Sequence, residues 1–244
     1  MLNGNSAAWR LSEDKPFLEA FGQEAARVLI YGDKATEPAA YHGLAPRYKV
    51  VPGSTKGTVA YQVEYYDPTD AGSKDGTPGA NTSAWFHTWG EQASHLTFPK
   101  GTKAGIVTED LGQVTADDGD GGFFEALRTH FEWNLGFVLR DFRYTSRVVN
   151  IDTTSLTAPA STAARVTLIQ SLIRGYNKCK KMSGGRRALY VSQQVKTALD
   201  LAVNEKVNVN LTMQDYAGQP TMHFYEVPIR VCDSILDTEG DETS

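Results

Sequence analysis

"FFEALRTHFEWNLGFVLRDFRYTSRVVNID" occupies residues 123–152, and its alternation decides how the chain is read. Leu127, Phe131, Trp133, Leu135, Phe137 and Leu139 put apolar side chains on odd positions, while Arg128, His130, Glu132 and Asn134 fill the even ones. Period-two alternation sends successive side chains to opposite faces, so the stretch predicts a half-buried strand with its odd face in the core. After Arg140 the phase flips. Phe142, Tyr144 and Val148 are even, and Asp141, Arg143 and Arg147 are odd, which needs a bulge or a tight turn. An unbroken strand over 123–139 would run for roughly 55 Å at about 3.3 Å per residue. Strands of about 5–6 residues are usual, so this one is expected to outgrow its own subunit.

Upstream, helical spacing of Phe17, Leu18, Phe21, Ala25, Val28 and Leu29 predicts a helix over 12–31. Ser12 or Asp14 would cap it, Pro16 would sit in its first turn, and Gly32 would stop it. The loop "YGDKATEPAAYHGLAPRYK" (31–49) then gathers Asp33, His42 and Arg47 between breakers. Residues 53–83 are rich in Gly, Ser, Thr, Asp and Pro around one alternating stretch, "TVAYQVEYY", and read as a mobile excursion with a hairpin or edge strand. "SAWFHTWG" and "SHLTFPKG" read as short strands, and 101–122 as polar and turn-heavy.

Downstream, "STAARVTLIQSLIRGYNKC" and "SQQVKTALDLAVNEK" read as amphipathic helices, the first capped by Ser161 or Thr162 and the second by Ser192. They flank a buried strand, "RRALYVS". Two strands around Gly218-Gln219-Pro220 follow, and the acidic tail "DTEGDETS" is expected to fray.

The 244 residues carry a net charge of −5, so the chain as a whole has no nucleic-acid footprint. No apolar run approaches the roughly 20 residues of a membrane helix, and "MLNGNSAAWR" lacks the features of a signal peptide. Cys179 and Cys232, the two cysteines, have no metal-ligand spacing and fit a reducing place of synthesis. His42, His87, His95, His130 and His223 form no HxxH or HExxH pair and are expected on surfaces or strand faces. No nucleophile elbow, phosphate loop or dinucleotide turn occurs. "DDGDGG" (117–122) lacks the spacing of a calcium loop and reads as a turn, and the basic "NKCKKMSGGRR" (177–187) as a solvated loop. No catalytic, cofactor or metal residues are assigned.

Five stretches, in this order, carry a family resemblance: "LNGNSAAWRLSEDKPFLEA", "YGDKATEPAAYHGLAPRY", "FPKGTKAGI…EDLGQVT", "GDGG…ALRTHFEWNLGFVLRDFRYTSRVVNID" and "GQPTMHFYEVPIRVCDSIL". Together they resemble the major capsid proteins of short-tailed bacteriophages over nearly the whole chain. The resemblance implies an α+β, tailed-phage capsid fold with a peripheral domain of long strands and a helix, an axial α/β domain and an extended loop, the order of connections being open to permutation. It also implies an upstream segment with an N-terminal arm before the residues matched at Leu2. Residues 1–152 are then expected to be mainly peripheral, with 53–83 as the extended loop, and 153–244 mainly axial, the closing strands returning to the first lobe. The loop 31–49 becomes framework rather than a ligand site.

The function expected is a shell protein forming hexamers and pentamers of an icosahedral head that encloses DNA, with no enzymatic activity. Asp33, Arg47, Arg128, His130, Glu132, Arg140, Arg143 and Arg147 are the candidate subunit contacts. Scaffold, portal or decoration proteins are further candidate partners, packaged DNA is contacted non-specifically at most, and no membrane is involved. Synthesis in the host cytoplasm and residence in the virion follow. Two other readings stay open: a cellular nanocompartment shell of the same fold, and a soluble β-rich enzyme.

Overall fold

A computed structural model describes residues 6–49, 55–66, 79–158, 162–204, 211–216, 219–240 and 242. The first helix, α1 (Ser6–Tyr31), begins upstream of the expected start, and Pro16 lies well inside it. "SAAWRL" holds no breaker and is rich in helix-favouring residues, so nothing stops the helix at Ser12. Ser12 does not cap; its hydroxyl donates to the Trp9 carbonyl (2.7 Å).

A 3-10 turn (Ala60–Gln62) leads into β1 (Val63–Tyr65), followed by β2 (Asn81–Trp89), β3 (Ser94–Thr97), β4 (Val107–Asp117), β5 (Phe123–Glu132) and β6 (Gly136–Leu139). A second 3-10 turn at Phe142–Tyr144 supplies the phase change anticipated after Arg140, and β7 (Thr145–Asp152) follows. Then come α2 (Thr153–Thr157), α3 (Thr162–Lys178), β8 (Arg186–Val191), α4 (Gln193–Asn204), β9 (Leu211–Tyr216), β10 (Gln219–Phe224) and β11 (Val227–Val231). Where two closing strands were expected there are three, because Tyr225 takes up a φ of +53° and reverses the chain a second time.

The described residues fall into two units, 1–94 with 139–244, and 95–138. The boundary expected at 152/153 falls inside the larger one. Its sheet runs β1-β7-β2-β8-β11-β10-β9, with β1 as the edge strand the sequence suggested. β2 is antiparallel to both β7 and β8, and β11 is parallel to β8. β2 and β7 are buried almost throughout, as befits strands covered on both faces. Phe86, Val148, Ile151, Leu168, Ile169, Leu172, Leu189, Val195, Leu199 and Phe224 form a core with α3 and α4. On the other face Trp85 meets Tyr48 edge-on, with ring centroids 6.0 Å apart.

The smaller unit consists of the β4–β5 hairpin and the pairing of β3 with β6. Here the strongest expectation from the sequence needs correction. The strand begun at Phe123 ends at Glu132, Trp133–Leu135 interrupt it, and β6 follows at Gly136. The odd face is not core: Phe123 is 75% exposed and Leu127 is exposed, while Phe131, Trp133 and Leu135 are half-buried and only Phe137 is buried. Among the described strands β5 pairs with β4 alone. Of the expected excursion at 53–83, residues 53–54 and 67–78 lie outside the described residues, and Val63–Tyr65 and Asn81–Ser83 belong to the main sheet. The described excursion is the hairpin at 107–132.

Candidate inter-subunit surfaces

The hairpin is built by register and by its turn. Pairs run from Val107↔Glu132 to Asp117↔Phe123, with a bulge between Asp110 and Gly112. Gly112 sits at φ +69°, and its N–H donates to Asp110 Oδ1 (2.8 Å), so the extra residue, Leu111, breaks the alternation that would have marked β4 as a strand. At the tip Asp118 Oδ1 accepts from the N–H groups of Asp120 and Gly122 (both 2.9 Å), and Asp117 Oδ1 from Gly119 N–H (2.9 Å). Gly119 and Gly121 take φ near +87°, which only glycine adopts without strain. "DDGDGG" is therefore a turn, as read, but one that presents side chains. Phe123 and Phe124, beside it, are exposed, as are Ile106, Val107, Leu111 and Leu127. A lone hairpin is marginal in water, and a row of exposed apolar side chains along one marks a surface made to be covered.

The eight candidate contact residues separate into four places. Arg128 and His130 project from β5 into solvent, and Glu132 at the hairpin base accepts from Asn134 Nδ2 (2.6 Å). Arg140 is exposed, its backbone N–H donating to Ala93 O (2.8 Å). Arg143 is exposed and grips Asp141 at 2.5 Å, and that hydrogen-bonded guanidinium holds the Asp141 carboxyl below its ordinary range.

Asp33 and Arg47 lie in the loop after α1. Asp33 Oδ1 accepts from Ala35 N–H (3.0 Å), and Arg47 donates to the His42 carbonyl through Nε (3.3 Å) and Nη2 (3.1 Å). The loop folds back onto the end of α1, where Leu44 N–H donates to Leu29 O (2.9 Å) and Ala45 N–H to Ile30 O (2.7 Å). These two bonds satisfy carbonyls that a helix C-terminus leaves open. A Cβ on Gly43 would stand 2.8 Å from the carbonyl oxygens of Val28, Leu29 and Ile30, so only glycine lets the backbone come this close. The loop is framework, as anticipated.

Arg147 is not a surface residue. It is 2% exposed and bonds Glu239 Oε2 (3.1 Å), Glu242 Oε1 (2.9 Å) and Tyr48 O (3.2 Å), with its guanidinium 4.9 Å from the Trp85 ring centroid. Glu239, 6% exposed, also accepts from Ser83 Oγ (2.7 Å) and from the Tyr31 hydroxyl. The tail does not simply fray. Glu239 N–H donates to Asn81 O (2.8 Å), and Glu242 N–H to Asn150 Oδ1 (3.1 Å). A buried guanidinium demands carboxylates, and the acidic tail supplies them.

One arrangement imitates catalytic geometry. His87, expected on a surface or strand face, is 1% exposed, with Nε2 2.6 Å from Ser94 Oγ and Nδ1 2.9 Å from Thr145 Oγ1. Ser94 Oγ donates to Thr88 O (2.9 Å), so this network places the imidazole proton on Nε2 and lets Thr145 donate to Nδ1. A general base would have to accept from the serine instead. Burial pushes the His87 pKa down to about 3, and the group is a neutral core element. No cluster of three or more His, Cys, Asp or Glu that could hold a metal occurs among the described residues, and no described helix is long and apolar enough to cross a membrane.

Sequence reasoning missed the presentation of Asp120, Phe123 and Phe124 at the hairpin tip. The usable signal was an alternating apolar stretch running straight out of a glycine-rich turn. Against known proteins, residues 1–242 match the family model described as Major capsid protein GP7. A chain in a near-atomic cryo-EM structure of bacteriophage Epsilon15 is similar to this one, with 31% identity and a TM-score of 0.63. The match covers 97% of this chain and 68% of that one. No curated protein sequence matches.

Proposed function

The chain belongs to the GP7 major capsid protein family, and on that premise we propose that its copies form the hexamers and pentamers of an icosahedral head enclosing DNA. As a member it is a structural shell protein of a phage head with the tailed-phage capsid fold, located in the virion capsid and self-assembling into capsid oligomers. The observation that carries the finer reading is the β4–β5 hairpin, which exposes Phe123, Phe124, Leu111 and Leu127 and has no further strand paired to it among the described residues. In this reading the hairpin is the extended loop that lies on a neighbouring subunit, and β8, β11, α3 and α4 have axial character.

Arg128, His130 and Glu132 contact neighbours along the hairpin, and Arg140 and Arg143 do so on the larger unit. Asp33 and Arg47 hold the loop that presents the end of α1, while Arg147 acts inside the subunit. Self-association through many modest contacts, rather than catalysis, is the mechanism. Scaffold, portal or decoration proteins are the remaining partners, synthesis takes place in the host cytoplasm, and packaged DNA is touched without sequence preference. Negative-stain microscopy of the purified protein tests the proposal. Capsomers or closed shells are the expected result, and a featureless monomer at every concentration overturns it.

A further inference from the structure

Beyond the part of the sheet that α1 covers, β8, β11 and β10 leave a groove of about 860 Å³. Cross-strand pairing sets its floor: Arg186 lies opposite Trp89, Tyr190 opposite Arg230, and Pro228 opposite His223. Pairs directly opposite share a face, and so do residues two apart, so Arg186, Ala188, Tyr190, Pro228, Arg230 and Trp89 form one surface. Trp89 Nε1 donates to the Tyr190 hydroxyl (2.8 Å) and fixes the aromatic part of that surface. Arg186 and Arg230 are exposed, lie about 14 Å apart by strand geometry, and have no acidic partner among the described residues. Among the described residues, no carboxylate lines the groove. In a chain of net charge −5 the described part of this site is cationic and aromatic-floored.

The hairpin tip has the opposite features. Asp120 is exposed and projects from a turn in which Asp117 and Asp118 each use one carboxylate oxygen to hold the backbone. Phe123, the most exposed large apolar side chain among the described residues, and Phe124, 52% exposed, follow directly. We propose that the groove receives the hairpin tip of a second copy, with the tip aspartates between Arg186 and Arg230 and Phe123 against Trp89 and Pro228. This rests on the reading of the chain as a self-assembling shell protein and names the surfaces used. DNA phosphates would engage the same guanidiniums, but they leave the apolar floor and the exposed phenylalanines without a role. Opposite charges across an interface fix register and speed encounter, and an aromatic anchor in a pocket supplies the affinity.

A charge-swap experiment on the full chain tests the pairing by sedimentation velocity at low salt, with circular dichroism as the check on folding. Arg186→Glu/Arg230→Glu and, separately, Asp120→Arg should each weaken self-association by about tenfold or more. The two sets mixed as partners should recover most of the loss, because each supplies what the other lacks. Arg186→Gln/Arg230→Gln is the milder variant if the glutamates disturb folding. Unchanged association in both arginine variants overturns the groove assignment while leaving the shell reading intact. A wild-type chain that stays monomeric overturns both. Loss of affinity for a short DNA duplex in the arginine variants, with Asp120→Arg silent in self-association, assigns the groove to nucleic acid and overturns the hairpin proposal.

Discussion

Replacing Arg147 by methionine isolates the buried charge cluster, since Met keeps the stem's volume and removes only the guanidinium. Arg147 and Glu239 are 2% and 6% exposed, so neither charge has water to fall back on. Breaking a buried pair by removing one partner costs about 3–5 kcal/mol. Two features of the site act in opposite directions. Glu239 would keep the Ser83 and Tyr31 hydroxyl donors, which lowers the cost. The Tyr48 carbonyl would lose its bond and Trp85 its cation, which raises it by about 1–3 and 0.5–2 kcal/mol respectively. The expected net loss is about 4 kcal/mol, and at about 2–4 °C per kcal/mol for a chain of this size the melting temperature falls by roughly 8–16 °C. Urea melts of Arg147→Met, Glu239→Gln and the double variant provide the assay. The double variant should be more stable than the sum of the singles by about 2 kcal/mol, because removing both buried charges leaves only the part-exposed Glu242 carboxylate without its guanidinium. A single-variant loss under about 1 kcal/mol, or additivity within about 0.5 kcal/mol, refutes the reasoning.

His87 makes stability fall with acid. Its folded pKa, about 3, lies below the ordinary 6.5, so the unfolded chain binds the extra proton and the native state loses ground as pH drops from 6.5 toward 3. Between pH 7 and pH 5 wild type should lose about 2 kcal/mol more than His87→Gln in urea melts, and equal losses would contradict the assignment. Gly43→Ala drives a Cβ to 2.8 Å from three helix carbonyls and should cost about 1–3 kcal/mol by thermal melting; a neutral result would mean the loop shifts freely. Phe123→Ser should leave the subunit's stability within about 0.5 kcal/mol while assembly yield drops, and hydrogen exchange at 107–132 should be fast in dilute subunits and slow in assembled material. Slow exchange in a dilute monomer would show that the hairpin needs no neighbour.

The sequence made most helices and central strands legible because their patterns are local. "RRALYVS" and the two helices around it lie where their spacing placed them, and Val63–Tyr65 is the edge strand expected from "TVAYQVEYY". The alternation at 127–139 identified the strands on either side of Trp133–Leu135 but not the interruption, and it misjudged their environment. Periodicity reports which residues share a face, and a surface kept for another molecule carries the same apolar code as a core. β4 went unread because the Leu111–Gly112 bulge shifts its phase midway. Arg128 and His130 were found at the surface because alternation suffices for that. Arg147 was misplaced because its partner Glu239 is 92 residues away, in a tail whose composition alone suggested solvent. Arg186 and Arg230 became a pair only once β8 and β11 were known to be parallel neighbours.

The Arg147 cluster also orders events in time. Its members come from α1, the loop at Tyr48, β2, β7 and the closing segment, so five parts of the larger unit meet at one guanidinium. Glu239 and Glu242 leave the ribosome after all the others. Until then a nascent chain holds an arginine that cannot be buried without its carboxylates, and domains are otherwise free to begin folding from the N-terminal side as they emerge. Native closure of this unit therefore waits for Glu239 and Glu242 to emerge. A stalled chain ending at residue 234 should be cut by protease in β2 and β7 at rates near those of unfolded chain, whereas one extended past residue 242 and clear of the ribosome should resist; equal resistance would show that the latch closes nothing.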